Sequence, residues 1–348
     1  MFLALREIRH EKLRYSLIVT LILFISYLVF ILNGLATGLS DLNKSAITQW
    51  QASKILLDKD AEGRLTQSFL DSDDQKKVSG QGTAISQYST LVKNSHADKT
   101  NAQILAIKSD GFIYKNIKTI SGHRFTGNNT ATVSDELKKS GFKIGDEITI
   151  ANSDAKLKII GFTSNASLNV APVIYTSFQT LKKINQAPVN ALVFNKKITG
   201  DAHFKNSKLY TINSFIEKLP GYQAQQLTFK FMIGFLFVIV LIVISIFLYI
   251  LTIQKLPNFG VMKAQGISTK YLVLNTLTQT FLMAVVGIGL AIIFTIITSY
   301  VLPSEVPIAI STTQVVATSF GILIMSLLGS LLPIRQIIKV DPFEMIGG

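Results

Sequence analysis

The sequence predicts a membrane protein with four transmembrane α-helices and a large mixed α/β domain inserted between the first helix and the second. The mean hydropathy is +0.39, and only 16% of the 348 residues are charged. Four stretches contain no charged residue: 15–40, 231–254, 271–304 and 306–334. A bilayer core about 30 Å thick is crossed by ~20 apolar residues in a helix, so each stretch is long enough to span it. These observations exclude a soluble enzyme, a secreted protein and a disordered chain.

The first span is predicted at 15–37, after an amphipathic segment at 1–14. The basic residues of that segment are Arg6, Arg9, Lys12 and Arg14. A signal peptide also has a basic start, but its apolar region is only about 7–15 residues long. The uncharged stretch here continues to Ser40. A retained anchor is therefore favoured, with a signal peptide as the alternative because small residues follow Leu35.

Three further spans follow the insert. They are predicted at 229–254, 272–300 and 311–334, with a loop at 255–271, a short loop at 301–310 and a tail at 335–348. Short loops rich in Lys and Arg stay in the cytoplasm. The first segment, the 255–271 loop and the tail are basic, whereas the only charge in the 301–310 loop is Glu305. We therefore predict a multi-pass cell membrane protein with both termini in the cytoplasm and the insert outside.

The insert, at 38–228, is long enough to bury a core of its own. The chain has no cysteine, which excludes disulfide bonds, thiolate metal sites and a cysteine nucleophile. Alternating patterns predict strands at Gln103–Ile107, Ile148–Ile150 and Lys156–Phe162. A cap-like serine predicts a helix at Ser134–Lys139, ended by Gly141. The insert is therefore predicted to be mixed α and β.

Motifs for enzymatic chemistry are missing from the sequence. There is no Gly-x-x-x-x-Gly-Lys-Ser/Thr segment to bind nucleotide phosphates and no Gly-x-Ser-x-Gly segment to carry a nucleophile. The four histidines are far apart, without metal-ligand spacing. The net charge of +13 falls mostly on single lysines scattered through the insert, without the aromatic interleaving of nucleic-acid sites. We expect no enzyme activity, no metal, no cofactor and no nucleic-acid partner, and attraction to anionic membrane lipid or wall polymers instead.

Amphipathic segments border the predicted spans. The segment Leu256–Ser268 lies between two spans and is bracketed by Pro257 and Gly266, and the tail is amphipathic as well. One interpretation is a tight turn with basic flanks. The other is a helix along the membrane surface that docks a cytoplasmic partner. The residues alone leave both open.

Two of these segments resemble MacB/FtsX-type ABC transporter permeases. Residues 258–266, Asn-Phe-Gly-Val-Met-Lys-Ala-Gln-Gly, resemble the Glu-Ile-Gly-Ile-Leu-Lys-Ala-Ile-Gly segment of that family, with Asn258 where the family usually has Glu. Residues 328–344 resemble the family's last span and tail, and the order of spans and insert is the same. The resemblance implies a permease subunit whose ATP hydrolysis is supplied by a separate ATPase. The coupling candidates that it implies are Pro257, Phe259, Gly260, Lys263, Gly266, Asp341, Pro342 and Glu344.

Within that family, the chain is most similar to the Hrt-type haem efflux permeases of low-GC Gram-positive bacteria. The length, the cysteine-free insert, residues 221–226 and the final Ile-Gly-Gly carry this resemblance. It implies a homodimer with two copies of the ATPase, exporting haem from the outer leaflet as a transported substrate. The alternatives are a MacB-like exporter of antimicrobial peptides or lipids and a non-transporting, FtsX-like mechanotransducer.

Haem would suit a site at the outer ends of the first two spans, where a planar apolar ring meets lipid and its propionates meet the interface. The candidates are Tyr222, Gln225, Lys230 and Met232. Tyr and Met are known axial ligands of haem iron. Each has another interpretation: Tyr222 as an interfacial aromatic residue, Lys230 as an interfacial anchor and Met232 as simple packing. Family members can have Glu where Gln225 stands, so an acidic ligand is absent there.

Overall fold

The structure is a computed structural model that describes residues 2–78, 80–94, 99–186, 188–196, 204–303 and 306–341. It divides into two compact units. The helical unit consists of Met1–Gly38 and Leu227–Gly348, and the α/β unit consists of Leu39–Gln226.

The helices of the described residues are α1 (Phe2–His10), α2 (Lys12–Gln49), α3 (Ser72–Lys77), α4 (Phe112–Asn116), α5 (Glu136–Lys139), α6 (Phe178–Ile184), α7 (Ile212–Glu217), α8 (Tyr222–Ala264), α9 (Thr269–Val301), α10 (Thr312–Gly329) and α11 (Leu331–Lys339). The strands are β1 (Lys54–Asp58), β2 (Thr83–Lys93), β3 (Thr100–Ile107), β4 (Thr119–Gly122), β5 (Thr130–Ser134), β6 (Glu147–Ile150), β7 (Lys156–Thr163), β8 (Ser167–Leu168), β9 (Ala171–Thr176), β10 (Ala191–Phe194) and β11 (Ser207–Thr211).

Four helical segments are long and apolar enough to cross a membrane: α2, α8, α9 and the α10–α11 stretch. The four predicted apolar helices and the α/β domain between the first and second are thus confirmed. Their shared core includes Ile22 of α2, Ile244 of α8, Met283 of α9 and Ile322 of α10. Polar side chains add hydrogen bonds inside this unit, as between Tyr27 and Thr298 at 2.9 Å.

The connection between α9 and α10 packs directly on α2. Ala309 donates its backbone N–H to the carbonyl oxygen of Gly34 at 3.1 Å. One turn later, a Cβ at position 38 would overlap the carbonyl oxygen of Pro307. Gly34 and Gly38 therefore let the chain after α9 approach the α2 backbone closely, which a larger residue would prevent.

The α/β unit is built on a mixed sheet. Its order is β11-β1-β10-β2-β3-β9-β5-β7-β4, with β6 paired to β2 and β7 and with β8 paired to β9. The pairs β3–β9 and β5–β7 are parallel, and the other pairs are antiparallel. The last turns of α2 pack into one core of this unit through Ala46, Ile47 and Trp50. A second core includes Phe142 and Phe162.

The helix predicted before Gly141 and the strand predicted at Ile148–Ile150 are confirmed as α5 and β6, and β5 precedes them. The predicted start of the helix at Ser134 is wrong, because Ser134 ends β5 and the helix is one turn that begins at Glu136. The Ser134 hydroxyl accepts hydrogen bonds from the backbone N–H of Ala166 at 3.2 Å and of Glu136 at 3.4 Å. Its oxygen thus serves both the sheet and the helix start.

The sequence left two interpretations open for the segment between the second and third spans, a tight turn and a separate surface helix. The structure shows neither. Helix α8 continues through Pro257 to Ala264. Proline removes one backbone donor from the helix, but Phe259 is buried against Leu272 and Ile337 and keeps the segment packed. The span predicted at 311–334 is also divided between two helices. Helix α10 ends at Gly329, and α11 begins at Leu331, after Ser330.

A glycine ends α8. Gly266 has φ +89, and its N–H donates to the carbonyl oxygen of Lys263 at 3.0 Å. The N–H of Ile267 donates to the carbonyl oxygen of Met262 at 3.0 Å. These two bonds form a Schellman motif with Gly266 in the left-handed position. A four-residue connection, 265–268, therefore suffices to reverse the chain into α9.

Candidate functional site

An apolar pocket lies between α2 and α8 in the helical unit. Its volume is about 440 Å³, within the range of about 300–1,000 Å³ typical of small-molecule sites. The lining residues are Leu28, Leu32, Phe231, Met232, Phe235 and Leu236. All of them are apolar. The rings of Phe231 and Phe235 lie 5.1 Å apart and form one wall.

Of the four haem candidates, Met232 is the one that lines this pocket. Its residue surface is 42% exposed, so Met232 is not enclosed by the surrounding helices. Lys230 also belongs to the helical unit and is exposed, but it is not part of the lining. Two residues along a helix correspond to a rotation of about 200°. Lys230 therefore lies on a different face of α8 from Met232.

Tyr222 and Gln225 belong to the α/β unit, where the first turn of α8 meets α2. The Tyr222 hydroxyl forms a hydrogen bond with the Ser40 hydroxyl at 3.0 Å and accepts one from Lys44 at 3.4 Å. The side-chain oxygen of Gln225 accepts a hydrogen bond from Asn43 at 3.4 Å. The four candidates are thus divided between the units, and Tyr222 already has partners for its hydroxyl.

The end of the helical unit that contains α1, the α8–α9 connection and α11 is here called the basal end. Three of the coupling candidates are packed inside it. Phe259 and Gly260 are buried, and the Lys263 ammonium group donates to the carbonyl oxygens of Ile337 at 2.8 Å and of Val340 at 3.1 Å. Lys263 thereby caps the C-terminus of α11, where cations are favourable.

The other coupling candidates differ in exposure and in whether the structure describes them. Pro257, Gly266 and Asp341 are exposed at the basal end. Pro342 and Glu344 lie outside the described residues. Of the coupling candidates that the structure describes, Pro257, Gly266 and Asp341 are therefore the ones that a partner could contact directly.

A polar cluster at the basal end was missed from the sequence. The Lys255 ammonium group lies 3.1 Å from a Glu7 carboxylate oxygen and donates to the Tyr15 hydroxyl at 2.9 Å. Tyr15 in turn donates to the side-chain oxygen of Gln279 at 2.9 Å. The Gln279 amide donates to Glu7 and closes the ring. The available signal was weak: a lysine at the end of an apolar run usually anchors the helix at the interface.

Among the residues that the structure describes, no three His, Asp or Glu side chains cluster in a way that could hold a metal ion. The features of this unit are instead a membrane-spanning helical bundle, an apolar pocket and packed polar contacts at one end. They define a multi-pass membrane protein with a small-molecule-sized apolar pocket.

Comparisons with known proteins identify the family. The family model "FtsX-like permease C-terminal" matches residues 214–342. A Staphylococcus haemolyticus protein described as the hemin transport system permease HrtB is 30% identical over 356 residues, covering 100% of this chain and 99% of that protein. A Staphylococcus epidermidis protein of the same description is 27% identical over 354 residues, with the same coverage. The chain therefore belongs to the FtsX-like ABC permease family and is a transporter subunit.

Solved structures with a similar arrangement include the periplasmic region of MacB from Actinobacillus actinomycetemcomitans, with 14% identity and a TM-score of 0.37 over 49% of this chain and 94% of that one. The extracellular domain of the ABC-type transporter YknZ from Gram-positive bacteria gives 15% identity and a TM-score of 0.32 over 43% of this chain and 84% of that one.

Proposed function

We propose that this chain is the permease subunit of an ABC exporter that removes haem from the outer leaflet of the cell membrane. The observation that carries the proposal is the apolar pocket between α2 and α8, with Met232 among its lining residues. Relatives described as hemin transport permeases match the chain over its full length. A separate ATPase supplies the energy, in a complex of two ATPase copies with a homodimer of this chain.

The pocket suits the macrocycle of haem. Apolar walls favour a planar apolar ring, and the Phe231 and Phe235 rings offer flat surfaces for it. Methionine sulfur is an axial ligand in cytochromes, so Met232 is the first ligand candidate. Lys230 lies on a different face of α8 from Met232 and is a candidate partner for a propionate that extends beyond the pocket.

Tyr222 and Gln225 are further candidates. For the Tyr222 phenolate to coordinate iron, its hydrogen bonds to Ser40 and Lys44 must be replaced. Gln225 has a buried side-chain nitrogen without a hydrogen-bond partner, which makes it a possible donor to a carboxylate.

For coupling, we propose that the basal end faces the cytoplasm and the α/β unit faces outside, as the basic short flanks indicate. The ATPase would dock on the exposed residues near Pro257, Gly266 and Asp341. Phe259 and Lys263 would transmit its movement, because Phe259 packs against Leu272 of α9 and Ile337 of α11 and Lys263 bonds to the end of α11. Gly260 is buried next to Phe259 and is the third candidate. Closure of the helices would then expel the ligand sideways from the pocket.

A lipid exporter is the second candidate. The pocket has no polar lining, so a lipid acyl chain would also fit its walls without unpaired polar groups.

A hemin titration of the purified full chain tests the proposal. We expect an absorption change on binding and a different spectrum with weaker binding in Met232→Leu, which keeps the volume but removes the sulfur. Met262→Leu, at the basal end, is the matched control and should behave as the unaltered chain. An unaltered chain that binds no hemin and gives cells no protection against it would overturn the proposal, and binding of lipid alone would favour the second candidate.

A further inference from the structure

The joint between α1 and α2 is bridged by one lysine from another helix. Helix α1 ends at His10 and α2 begins at Lys12, so Glu11 is the joint. Lys255 of α8 lies 3.1 Å from Glu7 before the joint and 3.7 Å from Glu11 at the joint. It also donates to Tyr15, one turn beyond the joint, at 2.9 Å.

The bridge is largely shielded from water. The Lys255 side chain is 12% exposed and that of Glu7 is 20% exposed. Gln279 of α9 completes the ring by accepting from Tyr15 and donating to Glu7. Four helices therefore contribute to one polar ring. A charge removed from such a site leaves its partner desolvated and unpaired, which is far more costly than losing an exposed ion pair.

Helix α1 depends on contacts of this kind. It has nine residues, and helices shorter than about 12–15 residues are marginal on their own. Its Ala4 is completely buried and its Ile8 is half-buried. The helix is thus held in place by tertiary contacts, and the ion pair between Glu7 and Lys255 is one of them.

We propose that Lys255 is a positioning residue that locks the α1–α2 joint, so that α1 moves as one body with α8 and α9. Its role in coupling rests on the proposed function: a force applied to α1 reaches the spans through this lock. Without the lock, α1 swings away at Glu11 and the force is lost.

The test uses the cysteine-free chain with one probe, Ala4→Cys. Because Ala4 is buried while α1 is docked, the rate of maleimide labelling in detergent reports undocking. Leu13→Cys, at a position that is 87% exposed, gives the rate of an open site. We expect Lys255→Met to raise the labelling rate of Ala4→Cys about tenfold or more, equivalent to about 1.4 kcal/mol of lost docking energy.

Matched variants separate the lock from general damage. Lys255→Arg keeps the positive charge and should restore protection, and Lys270→Met removes an exposed lysine at the start of α9 and should leave protection intact. Glu7→Gln keeps the size of the side chain and should raise the rate. If Lys255→Met does not fold, the labelling rate in Glu7→Gln decides whether the ion pair holds α1 in place.

The proposal is overturned if Ala4→Cys stays protected in both Lys255→Met and Glu7→Gln, or if it labels as fast as Leu13→Cys in the otherwise unaltered chain. Hemin export by the complex in cells is measured in parallel. Undocking with loss of export at normal abundance supports the coupling role, and undocking with unchanged export removes it. If the unaltered complex exports no hemin, the proposed function fails while the labelling result still decides the lock.

Discussion

The side-chain nitrogen of Lys263 lies 2.8 Å from the carbonyl oxygen of Ile337, which joins the last turn of α8 to the last turn of α11. The same ammonium group reaches the carbonyl oxygens of Ile338 and Val340, so one cation serves three acceptors left open by the end of the helix. The apolar contact of Phe259 with Ile337 accompanies it. A residue that the family resemblance assigns to partner coupling is thus also a structural clamp.

This clamp predicts that Lys263→Met loosens α11. A cation at a helix C-terminus contributes about 0.3–1 kcal/mol, and a loss of about 1 kcal/mol corresponds to a change of roughly fivefold in the open population. Ile337 is completely buried, so Ile337→Cys should label slowly with a maleimide and about fivefold faster after Lys263→Met. Lys270→Met is the control. Equal labelling in all three chains would show that Lys263 does not hold α11.

The turn after α8 predicts a backbone effect at Gly266. Its φ of +89 is costly for a residue with a Cβ, although there is open space around the position. The left-handed conformation costs such a residue about 1–2 kcal/mol, so Gly266→Ala should lower the thermal unfolding midpoint of the purified chain. Gly289→Ala, inside α9 and equally open, should not lower it. A midpoint unchanged by Gly266→Ala would contradict the Schellman geometry.

The local pattern was enough to predict part of this fold. Uncharged runs are sufficient to predict the four long helices, because the apolar core of a bilayer requires a helix of about 20 residues without charges. The turn before β6 could be predicted because two glycines, Gly141 and Gly145, stand in it. Both have positive φ in the structure. The extension of α2 to Gln49 was not readable, because its polar last turns are held by the packing of Trp50 in the α/β core.

The site was harder to predict for a physical reason. Phe231 and Phe235 line a pocket, yet they are the same residue types that face lipid anywhere else in a span. Met232 was picked out by chemistry alone. The partners of Lys255 come from residues about 240 positions earlier in the chain, and no local pattern indicates such a pairing.

The buried carboxylate of Asp74 predicts a pH dependence for the α/β unit. Burial opposes ionisation, but hydrogen bonds from Lys77, from the backbone N–H of Asn206 and from the Ser207 hydroxyl outweigh it and lower the pKa of Asp74 to about 2. An aspartate in an unfolded chain has a pKa of about 3.9. The stabilisation, about 2.5 kcal/mol, is therefore complete well above pH 4 and is lost as the pH falls from about 4 through about 2.

The chain has one tryptophan, Trp50, which is buried in the α/β unit, so its fluorescence reports unfolding of that unit. At about pH 7, the Asp74→Asn variant should unfold at a lower temperature than the unaltered chain. Its unfolding midpoint should also fall less as the pH is lowered from about 5 to about 2, the range in which the carboxyl group titrates. Asp73→Asn is the control, since Asp73 is 77% exposed and pairs only on the surface with Lys76. Parallel pH profiles for Asp74→Asn and the unaltered chain would contradict the assignment.

The proposed orientation predicts which thiols an impermeant reagent reaches. On intact cells, Asp154→Cys in the α/β unit should react with an impermeant maleimide, and Lys270→Cys at the basal end should react only after the cells are opened. Both positions are exposed, so protection reflects the membrane and not burial. The absence of native cysteine leaves no background from this chain. The opposite pattern would reverse the orientation.

The Tyr222 hydroxyl has two candidate roles, a structural hydrogen bond and coordination of haem iron, which two variants distinguish. Its ring is in the same core as Trp50, and its hydroxyl is hydrogen-bonded to Ser40 at 3.0 Å. Tyr222→Phe keeps the ring and loses the hydrogen bond to Ser40 and the longer one from Lys44. A hydrogen bond is worth about 1 kcal/mol, so the unfolding midpoint reported by Trp50 should fall by a few degrees. Ser40→Ala removes the shorter of these bonds from the other side, leaves the one from Lys44, and should lower the midpoint by no more than Tyr222→Phe does. If Tyr222 also coordinates iron, only Tyr222→Phe changes the absorption spectrum of the hemin complex. Identical spectra in both variants would leave the hydroxyl with its structural role alone and place the iron ligand elsewhere, with Met232 as the residue to examine next.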